Sequence, residues 1–184
     1  MARVIVFAAD LNDMIAGPGS RAGIRWGGPG DRPALTAAGI GATWLDRLDK
    51  GLRFVVAEEE GRIIGHNIYL TFDEVRQYDW LRIRLRAEHD VYSSSAFVVP
   101  ERRGQRLIAD MKRFAARDFV AQGYRRMVSV VRAGNEASIK AHARVGAVPL
   151  LTLTRARMGS LIMVWQGRRL RQVSWGIRPF TVSV

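Results

Sequence analysis

Apolar residues along this chain recur with two periods, and the switches between them mark out its elements. Val4-Ile5-Val6-Phe7-Ala8-Ala9 is an unbroken apolar run closed by Asp10, which predicts a strand. The residues from Asp10 to about Ala16 predict a short helix, and Gly17 to Pro33, rich in glycine and proline around Trp26, predicts a long loop. Leu35 to Leu48 predicts a helix interrupted by Gly39 and Gly41. Phe54-Val55-Val56-Ala57-Glu58 and the run from Ile63 to Leu70 flank Glu59-Glu60-Gly61-Arg62, the pattern of a β-hairpin. Trp80 to Arg86 alternates apolar and basic residues, as a strand with an arginine face would, while Asp79 to His89 also accommodates a helix.

The second half is more regular. Val91 to Val99 predicts a strand. Leu107, Ile108, Met111, Phe114, Ala115 and Phe119 fall on one face of a helix from Gln105 to Ala121, stopped by Gly123. Met127 to Val131 predicts a strand. Asn135 is placed to cap a helix that runs to about Val145 and stops at Gly146. Val148–Thr154 and Leu161–Gln166 predict a second hairpin, and the stretch from Gly167 to Val184 is basic, then apolar, with Trp175 and Phe180. The order of strands and helices implies an α/β sandwich around a mixed sheet.

At 184 residues the chain predicts one domain over 1–166, with 167–184 as a basic and aromatic C-terminal extension packing on the body or on a partner. No apolar run approaches the roughly 18–20 residues of a membrane span, and the apolar start is too short for a signal peptide. The chain has no cysteine, which excludes disulfides, thiolate catalysis and thiolate metal sites and fits a cytoplasmic protein. His66 and His89 lack companions at metal-ligand spacing, so no metal site is expected. The formal charge of +12 comes almost entirely from arginine, whose planar guanidinium suits phosphates and carboxylates. Anionic partners follow: a nucleotide-like cofactor, an acidic substrate or nucleic acid.

One segment concentrates this chemistry. In Val98-Val99-Pro100-Glu101-Arg102-Arg103-Gly104-Gln105-Arg106-Leu107-Ile108, a β-branched strand ends at proline and a basic, glycine-containing turn enters a helix. The first N–H groups of a helix lack intrahelical acceptors and carry the positive end of its dipole, so such a turn is a phosphate-binding device.

Together with the hairpin from Phe54 to Gly65 and the segment Asn135-Glu136-Ala137-Ser138-Ile139-Lys140-Ala141-His142-Ala143-Arg144-Val145-Gly146-Ala147, this turn resembles the GNAT superfamily of acyl-CoA-dependent N-acyltransferases. The likeness covers Leu52 to Val164 and extends to the first strand. It implies a mixed, mostly antiparallel central sheet flanked by helices, an α/β/α sandwich. It also implies acetyl-CoA or another acyl-CoA as cosubstrate and a small-molecule or macromolecular amine as acceptor. By the same resemblance Phe97, Val98 and Val99 meet the pantetheine and the acyl carbonyl. The pyrophosphate falls to Arg103, Gly104, Gln105, Arg106, Leu107 and Ile108, and Asn135 contacts the pantetheine or caps its helix. His142 stands where the family places a tyrosine general acid. Glu58, Glu88 and Asp90 are candidates for the base, and Ser93, Ser94 and Ser95 for a water relay. Glu58 and Ser94 are carried forward with His142 as the catalytic set.

The family's loop reads Arg-x-x-Gly-x-Gly or Ala, and here Arg106 and Ile108 occupy the two small positions. Arg106 either replaces backbone proximity with a charged contact or obstructs the site. Arg82, Arg84 and Arg86 imply an anionic acceptor, an acidic metabolite or a charged RNA. The competing reading is a non-catalytic module of the same fold that binds nucleic acid or a protein, although no nucleic-acid motif is present. Exposed strands and the aromatic tail are compatible with a homodimer.

Overall fold

Alternation along the strands assigns the layers. In β3 (Arg53–Glu59), Phe54 and Val56 join one buried cluster while Val55 and Ala57 join another, as side chains on opposite faces of a sheet must. The structure is a computed structural model and describes residues 1–15, 23–37, 52–176 and 178–184. Most of the helix expected from Leu35 to Leu48, and the first part of the loop expected from Gly17, lie outside the described residues.

The elements are β1 (Ala2–Asp10), α1 (Leu11–Ile15), β2 (Gly23–Trp26), α2 (Arg32–Ala37), β3, β4 (Arg62–Leu70), β5 (Glu74–Tyr78), β6 (Leu81–Arg84) and β7 (Asp90–Val98). They continue with α3 (Leu107–Ala121), β8 (Arg126–Arg132), α4 (Glu136–Ala143), β9 (Val148–Met158), β10 (Leu161–Gln166), β11 (Arg169–Trp175) and β12 (Phe180–Ser183). The main sheet runs β11-β10-β9-β1-β8-β7-β4-β3-β2. Its neighbours are antiparallel except β7 and β8. A smaller sheet runs β12-β6-β5.

On one face α1 and α3 bury Leu11, Met14, Met111, Ala115 and Phe119 against the sheet. The other face is covered by Leu35 of α2 and by Val75, Leu81, Ile83 and Val182 of the smaller sheet. The alternating stretch after Trp80 is therefore a strand, β6, and the helical alternative over Asp79 to His89 is set aside. Its arginines point away from that core: Arg82 and Arg84 reach Glu74 at 3.1 and 3.9 Å, and Arg86 is exposed.

Part of the expected glycine-rich loop is strand β2, and the reason is packing. A Cβ on Gly27 would lie 1.8 Å from the Phe54 ring, so this glycine serves close approach, not freedom of the chain. Trp26 beside it meets Tyr69 and Phe119 edge-on and carries the Arg53 guanidinium 3.9 Å from its ring centre. The hairpin turn is as expected. Glu60 and Gly61 both have positive φ, 51° and 74°, the conformation of a two-residue turn that matches strand twist.

The start of β7 is clamped. Asp90 is 2 % exposed. Arg126 donates Nε to its Oδ1 at 2.8 Å and Nη2 to its Oδ2 at 2.6 Å, and the Arg86 N–H adds a third bond at 2.9 Å. Removing one member of such a pair strands a charge. Asp90→Ala is expected to lower the unfolding free energy by about 3–5 kcal/mol, read from urea unfolding followed by circular dichroism.

Candidate active site

β7 and β8 begin as parallel neighbours and then part. Their pairing covers Asp90↔Arg126, Val91↔Met127 and Tyr92↔Val128 and stops there, while the opposite edge of β7 stays paired to β4 as far as Val98. From Ser93 onward one edge of β7 therefore faces an opening instead of a strand. That opening is a cleft of about 880 Å³, with β7 and α3 on one side and β8 and α4 on the other.

At the mouth of the cleft lies the basic turn. Arg102 donates Nε to Glu59 at 2.8 Å, tying the turn to the β3–β4 hairpin. Arg103 donates Nε to the Val98 carbonyl at 3.1 Å. Gly104 has φ 83°, and Arg106, the residue that caps α3, has φ 65°. Left-handed backbone costs a non-glycine residue about 1–2 kcal/mol. Arg106 thus keeps the conformation a glycine would take at this place, with its side chain exposed at the cleft. No side chain caps the helix, and Asp110 is the first residue whose N–H returns to it, at 3.1 Å from the Arg106 carbonyl. The N–H groups of Leu107, Ile108 and Ala109 are left for an outside acceptor. Neither Arg103 nor Arg106 has an acidic partner among the described residues.

The expected residues divide. Phe97, Val98, Arg103 and Gly104 line the cleft, as do Arg106, Leu107, Ile108 and Asn135. Ser94 also lines it. Gln105 and Val99 do not; the Val99 N–H is taken by the Ile64 carbonyl at 2.9 Å. Asn135 caps α4, its Oδ1 accepting from the Ser138 N–H at 3.1 Å. Glu58 is not brought to the cleft: its Oε2 accepts two bonds from Arg25, at 3.0 and 2.8 Å. Asp90 is occupied by Arg126, and Glu88 is exposed with φ 62°.

His142 reaches the floor of the cleft, 7 % exposed. Its Nδ1 is 2.7 Å from the Ser138 carbonyl, which only accepts, so Nδ1 carries the proton and Nε2 the lone pair. Burial first, then the neighbouring Lys112 charge, holds its pKa down at about 3.

Lys112 is the residue that sequence reasoning missed. Its side chain crosses from α3 to the point where the strands part, is 1 % exposed, and lines the cleft. Nζ lies 2.9 Å from Ser93 Oγ, 3.4 Å from Ser129 Oγ and 3.3 Å from His142 Nε2. Behind Ser93, Asn67 and Tyr69 extend the network, with Ser93 Oγ 3.3 Å and the Tyr69 hydroxyl 3.1 Å from Asn67 Oδ1. Desolvation pushes the Lys112 pKa down to about 7. A signal existed: a lysine three residues after Ala109 and seven before Phe119 sits on the buried stripe of an amphipathic helix.

Comparison with known proteins gives a consistent picture. The model of the acetyltransferase (GNAT) family matches residues 28–147. No curated protein sequence matches the chain. Among solved structures, a GNAT-family acetyltransferase from Novosphingobium aromaticivorans is 20% identical at TM-score 0.58, covering 82% of this chain and 61% of that one. This chain therefore spans less than two thirds of that protein's length. An aminoglycoside N-acetyltransferase in complex with CoA is 18% identical at TM-score 0.55, covering 67% and 90%. The acetyltransferase yncA of Salmonella typhimurium, solved with acetyl-CoA, is 20% identical at TM-score 0.52, covering 74% and 81%.

The displaced lysine has a thermodynamic signature. Its folded pKa of about 7 lies below the ordinary 10.5, so between these values the unfolded chain binds the extra proton and stability rises with pH. Wild-type protein is expected to gain unfolding free energy relative to Lys112→Met as pH rises from about 7 to about 10. Urea titrations at several pH values measure this, and a difference that stays flat removes the buried ammonium as its source.

Proposed function

We propose that this chain, which belongs to the acetyltransferase (GNAT) family, transfers an acyl group, most simply acetyl, from acyl-CoA to an amine. The observation that carries the proposal is the free edge of β7, which leads from the uncapped N-terminus of α3 to a buried polar nest. Two solved relatives of the same fold hold CoA or acetyl-CoA, which supports that ligand here.

The residues present fit it. The open N–H groups at the start of α3 and the guanidinium groups of Arg103 and Arg106, which have no acidic partner among the described residues, suit a pyrophosphate. Of the two roles open to Arg106, its left-handed backbone and exposed side chain at the cleft support the charged contact. The exposed edge of β7 from Ser93 to Phe97 offers backbone donors and acceptors to the amide-bearing arm, with Asn135 across the cleft. Acyl-CoA supplies an activated thioester, and the chain supplies orientation and proton handling.

Acceptor entry is assigned to the side where Gln77 and Tyr78 of β5 border the cleft beside Ser94 and Ser95. Tyr92 donates to Gln77 Oε1 at 2.6 Å and fixes that lip. Ser94 is the candidate there for holding a water that takes up the amine proton. His142 enters the mechanism through its contact with Lys112 and not by direct donation, because its Nε2 bears no proton. Arg82 and Arg84 do not line the cleft and are paired with Glu74, so an anionic acceptor rests on Arg103, Arg106 and the overall charge of +12. The non-catalytic alternative gains no observation of its own from this site.

Acetyl-CoA is expected to raise the melting temperature of the purified chain. Arg103→Ala and Arg106→Gly are each expected to weaken its binding about tenfold, the scale of one charged hydrogen bond. Glycine keeps the left-handed turn, so loss of affinity in Arg106→Gly reports the guanidinium alone. Calorimetry measures both. Absence of heat and of any thermal shift with millimolar acetyl-CoA would refute the reading.

A further inference from the structure

We propose that Lys112 is a catalytic residue of this chain, the acid that protonates the departing sulfur, and that His142 positions it. The inference rests on the acyl-CoA reading above and names the group that completes it.

The geometry is that of a proton switch. The Nζ of an ammonium has three donors, and three oxygen or nitrogen acceptors surround it, Ser93 Oγ, Ser129 Oγ and His142 Nε2, with the weakly accepting Met127 Sδ at 3.8 Å. The imidazole can only accept there, because its other nitrogen is committed to the Ser138 carbonyl. The two hydroxyls can turn and donate, so they satisfy the lone pair when Lys112 is neutral. The nest therefore accommodates both protonation states without moving a heavy atom. No carboxylate bonds to Nζ among the described residues, so no ion pair locks the charge on. The titratable groups facing it are His142 from α4 and, through Ser93 and Asn67, Tyr69 from β4, whose hydroxyl burial keeps protonated.

Position supplies the second argument. A chain laid from the α3 N-terminus along the free edge of β7 ends where β7 and β8 close, and Lys112 is the cation at that point. Composition supplies the third. Of 29 cationic residues only Lys50, Lys112 and Lys140 are lysine, and arginine does not give up its proton in proteins. The chain places one of its few lysines where the charge must change.

In the transfer a C–N bond forms between the acceptor amine and the acyl carbon, and the C–S bond breaks. The sulfur leaves with the bonding electron pair and takes a proton from the Lys112 ammonium. The amine nitrogen loses a proton to water held in the cleft. Neutral Lys112 then regains its proton from solvent before the next cycle, so atoms and charge balance. A pKa of about 7 makes this ammonium a stronger acid than an ordinary lysine or tyrosine and still protonated in good part near neutrality.

The test needs no acceptor. CoA and desulfo-CoA, which lacks the sulfur, are each titrated into wild type and into Lys112→Met at neutral pH. Binding is followed by calorimetry, and alkylation of the bound thiol by iodoacetamide is followed by mass; the chain has no cysteine, so CoA brings the only thiol. An acid that protonates the departing sulfur takes that proton back when the sulfur attacks an electrophile, so neutral Lys112 is expected to speed alkylation about tenfold over Lys112→Met, although CoA binds to both. In parallel, Nζ resonances of 15N-lysine wild type are followed with pH; the midpoint of the buried lysine is expected to coincide with the midpoint of the alkylation rate, and its resonance to differ between the CoA and desulfo-CoA complexes. This arm stands even if Lys112→Met fails to fold. CoA binding with equal alkylation rates, or with a Lys112 resonance that does not titrate where the rate does, overturns the assignment and leaves the acyl-CoA reading intact. No binding of either ligand overturns both.

Discussion

The site depends on two strands being held together at one end and apart beyond it. Asp90 and Arg126 stand opposite each other in the one parallel pair of the main sheet among the described residues, and their bidentate contact, reinforced by the Arg86 amide, fixes where β7 and β8 meet. Three paired residues later the strands diverge. An antiparallel neighbour on each outer side, β4 for β7 and β1 for β8, keeps them from closing again. The sheet thereby gives up hydrogen bonds along one edge of β7, and those unpaired groups are the polar wall of the cleft. Without the clamp, a one-residue slip would turn Ser93 away from Lys112 and toward the opposite face.

The floor of the cleft illustrates how burial creates reactivity. Lys112 is surrounded by neutral groups, so nothing compensates its charge except hydrogen bonds. Its environment pushes it toward deprotonation, and the same environment strips His142 of any tendency to ionise. Two buried basic groups 3.3 Å apart divide the work: one holds a fixed lone pair, the other exchanges a proton.

Local pattern made much of this legible. The hairpin around Glu60 and Gly61, the amphipathic α3, the Asn135 cap and the strand feeding the basic turn were all readable because short-range chemistry dictates them. The resemblance added the order that joins them into one sheet. What escaped was long-range. β2 hid in a glycine-rich stretch because Gly27 answers to Phe54, 27 residues away in sequence, through a contact no local window contains. β5 is too short and too polar to announce itself, and β12 becomes a strand only by pairing with β6. Glu58 looked available in the sequence and is claimed by Arg25 across the β2–β3 pair. Lys112 was overlooked as a single polar residue in an otherwise convincing apolar stripe.

The pairing of β12 with β6 carries a consequence for how the chain acquires its shape during synthesis. Phe180–Ser183 lie parallel to Leu81–Arg84, so the smaller sheet joins segments about a hundred residues apart. As the ribosome delivers the chain, Leu81 and Ile83 emerge long before Val182 exists to cover them. β1 waits as well, since both its neighbours, β8 and β9, come from the second half. The nascent chain carries the apolar strand β6 uncovered until β12 has been made, and the smaller sheet closes only then. This makes the interval before β12 is available, not the finished protein, the time at which this fold is most open to aggregation.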